Sequence, residues 1–367
     1  MNIEFLATTT PGLERVAIRE VEEITQNKAK VEHRGMITFK GREEDIFRLN
    51  YLSKSLHRVL MLLLRDSFSS IRDIYKKVFE INFAEIIRPE QRYAVRAERH
   101  GEHSFTSQDV EREVGQAIID SFKKRKNVRL KVDLENPDLI FRVHVRDKNF
   151  WFAVDTTGED SLHKRGYRIY QHPASLRPTI AYCMVRLSQW NEKESLIDPM
   201  CGSGTICIEA GLFASKIPNW FRQNFAFWNL SFLDTDFFVR LKRDIDSKVQ
   251  VKDLDIQGCD LFEKHVKGAK ENANKAGIKV KFFKADATRI PLNYDKIVTN
   301  MPYGVRIGSR KIIEKLYKQF ILNLYRYNWK KTVVLTARVD LLPIEKIEKR
   351  IDITYGKLPA SILIIDR

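Results

Sequence analysis

The segment Asn300-Met301-Pro302-Tyr303-Gly304 combines groups suited to one difficult reaction. A planar exocyclic amine on a nucleobase is a poor nucleophile, because its lone pair is delocalised into the ring. The Asn300 side-chain oxygen and the carbonyl of residue 301 would each accept one N–H and aim that lone pair at an electrophilic methyl. Transfer then depends on positioning and electrostatics more than on a strong base. Tyr303 adds a ring on which a flipped base can stack. Pro302 biases Met301 toward an extended backbone. In isolation the same residues would make a plain proline turn; what argues for chemistry is their place 14 residues after Asp286, in a chain with two further acids at comparable places.

Those acids frame a glycine turn. "ESLIDPMCGSGTICIEAG" reads as a strand ending at Asp198, a turn with Gly202 and Gly204, and a helix. Glycines let a ligand approach the backbone, and the helix start supplies oriented N–H groups. The dinucleotide fingerprint requires a glycine where this chain has Cys207, which argues against a nicotinamide or flavin enzyme. Asp198 would repel a pyrophosphate but suits the cationic amino-acid end of S-adenosylmethionine. Asp260 closes "DIQGCD", where a carboxylate can accept both ribose hydroxyls, and Asp286 closes "VKFFKAD", where it can take an adenine amino hydrogen. Each acid alone is equally a helix N-cap. Three at strand ends beside one glycine turn coincide with the place where open α/β sheets bind ligands.

The elements that must position these residues are short. From Thr179 onward, helical segments alternate with the strands "SLID", "DIQGCD", "VKFFKAD", "KIVTN", "KTVVLTA" and "ASILII", the mark of a parallel, doubly wound sheet. The front half reads as two α+β units. The first has a helix at Val16–Ile24 after the Pro11-Gly12 turn, then the strand "MITFKG". The second has the strand "RYAVRAER", a long helix with Ser107 as its expected N-cap, and two strands in "LIFRVHVRDKNFWFAVDTT". "TGEDSLHKRGYRIYQHPASLRP" has no clear period and reads as a linker. The stretch between the glycine turn and Asp260 is longer than a cofactor-binding unit requires. It holds Trp220, Phe221, Phe225, Phe227, Trp228, Phe232, Phe237 and Phe238, expected to pack as an inserted helix pair on the core, with stacking on RNA as the alternative.

The chain has 367 residues, 43% hydrophobic and 31% charged, the composition of a folded globular protein. Its longest strongly apolar run, Val59 to Leu64, is far below the roughly 20 residues of a spanning helix, and the N-terminus lacks a secretory pattern. A cytoplasmic protein without a membrane partner is expected. Cys183, Cys201, Cys207 and Cys259 form no C-x-x-C pair and read as thiols of a reducing compartment. No ligand set stands at metal spacing. The formal charge is +16, and residues 301–350, with 12 basic and 4 acidic groups, hold half of that excess. A polyanionic partner fits there, although a charged surface also serves solubility. Arg306, Arg310, Lys311, Lys315 and Lys318 stand beside the expected base pocket as a phosphate-tracking patch.

"DPMCGSGT", Asp260, Asp286 and "NMPYG" together resemble a class I S-adenosylmethionine-dependent methyltransferase of the amino-methylating kind, whose usual signature is N-P-P-Y. Met301 replaces the first proline, which removes a fixed φ but keeps the backbone carbonyl. "RAERHGEHSFTSQDVEREVGQAI", "NPDLIFRVHVRDKNFWFAVDTTG" and "SLHKRGYR" are similar to the THUMP domain and its exit segment, found in tRNA-modifying enzymes beside a ferredoxin-like domain. The resemblance covers nearly the whole chain and is closest to the tRNA guanine-2-amino methyltransferases of the acceptor stem. It implies an α/β chain: a ferredoxin-like domain at 1–60, a THUMP domain at 61–156, a linker at 157–172 and a Rossmann-like methyltransferase domain at 173–367.

The implied reaction moves a methyl group from S-adenosylmethionine to the 2-amino group of a tRNA guanosine, giving 2-methylguanosine. Catalysis would fall to Asn300, Met301, Pro302 and Tyr303. Cofactor contacts would come from Asp198, Met200, Cys201, Gly202, Ser203, Gly204, Asp260, Asp286, Ala287 and Asn300, with Leu176 and Thr179 from the segment this family runs over the cofactor. The tRNA, gripped at its acceptor stem and 3′ end, would meet Arg96, Arg99, His103, Ser104, Lys123, Lys124, Arg125 and Lys126. A monomer with no obligate protein partner is expected. Two competitors use the same residues differently: an adenine 6-amino methyltransferase acting on DNA or other RNA, and a non-catalytic tRNA-binding protein with a vestigial cofactor fold.

Overall fold

The computed structural model describes residues 3–219, 224–303, 310–344, 347–355 and 358–367. Trp220 and Phe221 of the aromatic stretch, and Gly304 and Arg306 of the active-site segment, lie outside them.

The front half runs β1 (Ile3–Thr9), α1 (Glu14–Thr25), β2 (Ala29–His33), β3 (Met36–Gly41), α2 (Glu43–Leu52), β4 (Leu56–Ser67), α3 (Ile71–Phe79), β5 (Arg92–His100), α4 (Ser107–Lys126), β6 (Lys131–Val132), β7 (Leu139–Arg146) and β8 (Asn149–Asp155). These strands form a single eight-stranded sheet in the order β2-β3-β1-β4-β8-β7-β5-β6. The strand at its centre is β4. It pairs with β1 along one edge (Leu6 opposite Leu60) and with β8 along the other (Met61 opposite Val154). The expected boundary after residue 60 therefore falls inside β4: the apolar run at Val59 to Leu64 joins the two front units by closing an edge of each. Residues such as Phe5, Val59, Phe141 and Phe152 pack with Ala17, Val114 and Ile118 of the helices, while Leu6, Leu60, Trp151 and Ala153 cluster separately. The α4 N-cap is Thr106, not Ser107; Thr106 accepts the Asp109 N–H, and Asp109 reaches back in a capping box.

The back half runs α5 (Pro178–Leu187), β9 (Leu196–Asp198), α6 (Thr205–Ala214), α7 (Thr235–Ser247), β10 (Ile256–Asp260), α8 (Glu263–Ala276), β11 (Lys281–Lys284), β12 (Lys296–Asn300), α9 (Arg310–Leu324), β13 (Lys331–Thr336), β14 (Lys349–Tyr355) and β15 (Leu358–Asp366). Its seven strands lie in the order β11-β10-β9-β12-β13-β15-β14, the first five parallel and β15 antiparallel to both of its neighbours. Strand β9 has β10 on one side and β12 on the other, so the strand order reverses there and a crevice opens beyond its carboxyl end. Helix α6 can lie close to the sheet because Gly258 stands under it. A Cβ at Gly258 would come within 3.0 Å of Cys207 Sγ and 2.7 Å of the Phe282 ring. The close packing that a fingerprint glycine provides from the helix is thus provided here from the strand.

A buried polar seam joins the halves. Arg165 of the linker region donates to Glu209 on α6 (3.3 Å), to Asn219 (3.1 Å) and to the Lys54 carbonyl (2.7 Å). Asn219 in turn donates to the Asn50 and Ser53 carbonyls, each at 3.1 Å. The described part of the aromatic stretch packs, as expected, but into the core of the front half. Phe225, Phe227 and Phe238 join the cluster of Phe47 and Tyr51, with Phe238 and Phe47 rings 5.0 Å apart. Tyr51 also donates to Asp246 of α7 at 2.6 Å. Phe238→Ala should therefore cost about 3 kcal/mol or more through the cavity left behind. The expected readout is a lowered denaturation midpoint with RNA affinity unchanged; lost RNA affinity at full stability would favour a stacking role.

Candidate active site

The three acids converge on the crevice. Asp198 ends β9 fully enclosed. Its Oδ1 accepts the Met200 N–H (3.1 Å) and the Thr299 hydroxyl (2.8 Å), which ties the end of β9 to that of β12. No described residue donates to its Oδ2. Burial pushes its pKa up to about 7. Asp260 takes one N–H on each oxygen: Gly202 on Oδ2 (3.1 Å) and Phe262 on Oδ1 (3.0 Å). Asp286 lies two residues beyond β11 and caps the next turn through the Thr288 N–H (2.9 Å) and hydroxyl (2.7 Å).

Gly202 and Gly204 both have positive φ, +53° and +78°. A Cβ on Gly204 would meet the Phe282 ring at 2.8 Å, so only glycine fits there. Cys201 donates its N–H to the Cys259 carbonyl at 2.8 Å, and Ser203 is buried with its hydroxyl 3.2 Å from that of Thr205. Met200 is half-buried beside Asp198, and Ala287 is buried with its carbonyl taken by Asn323 at 3.1 Å. Burial raises the Cys201 thiol well above its usual range and Cys259 to about 12, so both stay protonated.

This arrangement fits S-adenosylmethionine. A buried carboxyl with one uncommitted oxygen suits a cationic amino group, the glycine turn leaves backbone exposed where side chains would intrude, and Asp260 and Asp286 stand at the neighbouring strand ends. Leu176 belongs to the segment lying over this turn: His172, which sequence reasoning did not assign, packs on Gly202, where a Cβ would lie 3.6 Å from its ring, and the hydroxyls of Ser175 and Ser203 are 3.5 Å apart. Thr179 is fully buried, and its hydroxyl pairs with His57 of β4 at 3.2 Å, a contact between the two halves.

The Asn300 segment is held firmly. Tyr303 donates its hydroxyl to Asn300 Oδ1 at 2.5 Å, leaving that oxygen a second lone pair. The Met301 N–H extends the ladder to the Leu335 carbonyl at 3.0 Å, a bond proline cannot make, and its side chain is fully buried. Tyr317, a second residue the motif did not reveal, donates to the Pro302 carbonyl at 2.9 Å. Rigidity lost with the proline ring is thus recovered through two hydrogen bonds. Among the described residues nothing donates to the Met301 carbonyl.

The basic candidates divide. Arg125 is exposed and donates to Glu80 O (2.9 Å) and to Ser121 Oγ (2.6 Å), joining the C-terminal end of α3 to α4 without an acidic partner among the described residues. Arg96 pairs with Glu159 at 2.6 Å, and Arg99 donates to the Gly101 carbonyl at 2.8 Å and contacts His103, whose Nε2 meets the Asp147 carbonyl at 2.6 Å. Lys124 lies over the Phe79 ring, while Lys123, Lys126 and Lys311 are exposed. Arg310 is exposed and 3.9 Å from Asp340.

With this geometry in hand, comparison with known proteins is informative. Residues 165–347 match an RMKL-like methyltransferase domain, residues 68–155 a THUMP domain and residues 4–60 an RlmL ferredoxin-like domain. A tRNA (guanine(6)-N2)-methyltransferase of Archaeoglobus fulgidus is 43% identical over 87% of this chain and 78% of its own length. One from Methanocaldococcus jannaschii is 39% identical over 91% of each. The crystal structure of a possible methylase from Clostridium difficile superposes with a TM-score of 0.89 at 26% identity, over 100% of this chain and 98% of that one.

The raised Asp198 pKa carries a sign. In the ligand-free protein its bound proton contributes stability that is complete below the ordinary value of 3.8 and lost as pH rises through about 7. A cationic ligand needs the ionised form, so the sign reverses for binding. Cofactor affinity, measured calorimetrically, should weaken up to about tenfold per pH unit below that value. Asp198→Asn should weaken binding and flatten this dependence.

Proposed function

This chain belongs to the THUMP-domain methyltransferase family that includes the archaeal tRNA (guanine(6)-N2)-methyltransferases, and on that footing we propose that it methylates the 2-amino group of a guanosine in the acceptor stem of tRNA, giving 2-methylguanosine. The observation that carries this reading is the pair of acceptors at the end of β12: Asn300 Oδ1, oriented by Tyr303, and the Met301 carbonyl, fixed by its own N–H on Leu335.

The bound cofactor supplies an electrophilic methyl on a sulfonium. The chain's part is positional. Asn300 and the Met301 carbonyl each accept one N–H of the guanine 2-amino group, which holds its nitrogen lone pair clear of the ring plane's competing contacts. Tyr303 stacks on the extruded base while its hydroxyl keeps the Asn300 amide from turning. Asp198, Gly202, Gly204, Asp260 and Asp286 hold the cofactor. Transfer would form the N–C bond as the S–C bond breaks, with the thioether as leaving group and the surplus amine proton passing to water, so the chain need supply no strong base.

The RNA approaches as a polyanion. Lys123, Lys124 and Lys126 at the end of α4 serve the 3′ end, and Arg310 and Lys311 at the start of α9 serve the stem near the base pocket. Arg96, Arg99 and His103 contribute by exchanging their present partners for phosphate. The enzyme acts as a cytoplasmic monomer on this reading; among the described residues no helix is long and apolar enough to cross a membrane.

Mass mapping after incubation with labelled cofactor tests the proposal: label is expected at the 2-amino group of one acceptor-stem guanosine. Label on adenine in duplex DNA, or none in RNA with folded, cofactor-bound protein, would overturn it. Asn300→Ala is expected to lower kcat about 10²- to 10³-fold while cofactor affinity stays nearly intact. Collapse of that affinity would show that Asn300 serves the cofactor instead.

A further inference from the structure

Asn272 on α8 is fully buried where three chain segments meet. Its Oδ1 accepts the backbone N–H groups of Ile169 (2.8 Å) and Tyr170 (2.9 Å), and its Nδ2 donates to the carbonyls of Tyr170 (3.0 Å) and Ser203 (3.1 Å). A carboxamide offers two acceptor lone pairs and two N–H donors. All four are used here, and none within its own helix. Ser203 lies between the two positive-φ glycines of the turn.

The rest of this helix face serves the same purpose. His265, Gly268, Ala269 and Asn272 recur at helical spacing and share one side of α8. Gly268 admits the Tyr170 ring, which a Cβ would approach to 2.1 Å, and the Tyr170 hydroxyl pairs with His265 Nδ1 at 2.6 Å. Ala269 backs the turn itself, 3.0 Å from where a Gly204 Cβ would stand. Beyond Tyr170 the strap continues to His172, whose ring is 4.2 Å from that of His265 and packs on Gly202. Arg168, just before it, donates to the Leu176 carbonyl and, at 3.3 Å, to the Thr205 hydroxyl in the first turn of α6. The strap leaving the front half and the glycine turn are therefore mounted on one helix face, and Asn272 bonds to the backbone of both.

We infer that Asn272 is a positioning residue for cofactor binding, holding the Ser203 carbonyl toward α8 and with it the shape of the glycine turn. This rests on the reading of that turn as the S-adenosylmethionine site. Removing the amide would leave buried backbone groups of Ser203, Ile169 and Tyr170 without partners, which the turn can relieve only by changing shape.

Titration of S-adenosylmethionine into the full chain tests this with wild type, Asn272→Ala and Asn272→Asp, alongside tRNA affinity and unfolding midpoint. Aspartate keeps the two acceptor bonds to the strap but sets an oxygen against the Ser203 carbonyl. In both variants the cofactor Kd is expected to rise on the order of tenfold or more, with tRNA affinity and kcat at saturating cofactor retained. Hydrogen exchange at residues 202–204 should accelerate in the cofactor-free variants. An unchanged cofactor Kd in both overturns the inference, as does parallel loss of cofactor and tRNA binding, the mark of a merely structural residue. Should alanine not fold, Asn272→Gln, which displaces the amide by one methylene, is expected to shift the cofactor Kd in the same direction. Failure of the wild type to bind the cofactor would overturn the site reading and this inference together.

Discussion

One hydrogen bond at the bottom of the crevice organises the site: the Thr299 hydroxyl on Asp198. Parallel strands diverge beyond their last ladder bonds, and at a switch point the connecting helices leave in opposite directions. A buried carboxylate there is costly to ionise unless it gathers donors, and Asp198 gathers two on one oxygen, from Met200 and Thr299. The turn after β9, proposed to hold the cofactor, is thereby held in register with the proposed acceptor segment at the end of β12. The same burial leaves the carboxyl poised near neutrality, and in the proposed site a cationic ligand would supply the compensation that the fold withholds.

The segment after β12 shows how a motif can change in sequence while keeping its mechanics. A proline at 301 would fix φ from within the residue; methionine leaves φ free but restores an N–H, which pairs with β13. The buried Met301 side chain and the Tyr317 bond to Pro302 complete the constraint from outside. The proposed reaction requires a carbonyl in a fixed place, and either route provides it.

Around this centre the front half is more than an attached module. Its two units share β4, its linker carries a buried arginine into α6, and the aromatic stretch of the back half packs into its core. The linker then becomes the strap over the glycine turn, mounted on α8 through Asn272. The front half and the glycine turn are thus connected through packed and hydrogen-bonded contacts rather than through a flexible tether.

Much of this was legible in the chain. Alternating short apolar strands and helices specify the parallel sheet, since that periodicity can bury its apolar residues in few other ways, and Asp198, Gly202, Gly204, Asp260 and Asn300 stand out because their chemistry is tied to strand ends and turns. Other features depend on partners distant in sequence. The long run through Val59 reads as apolar, but only pairing with β1 and β8 makes it the strand that fuses two units. The Thr179 hydroxyl meets His57 of β4, and the Arg125 guanidinium meets the C-terminal end of α3, only once the chain has folded. Thr299, Tyr317 and Asn272 carry no signal at all in one dimension, because a hydroxyl or amide declares its role only through the atoms facing it. Periodicity and local backbone demands are properties of neighbouring residues and survive in the sequence, whereas long-range hydrogen bonds exist only once folding has brought their two ends together.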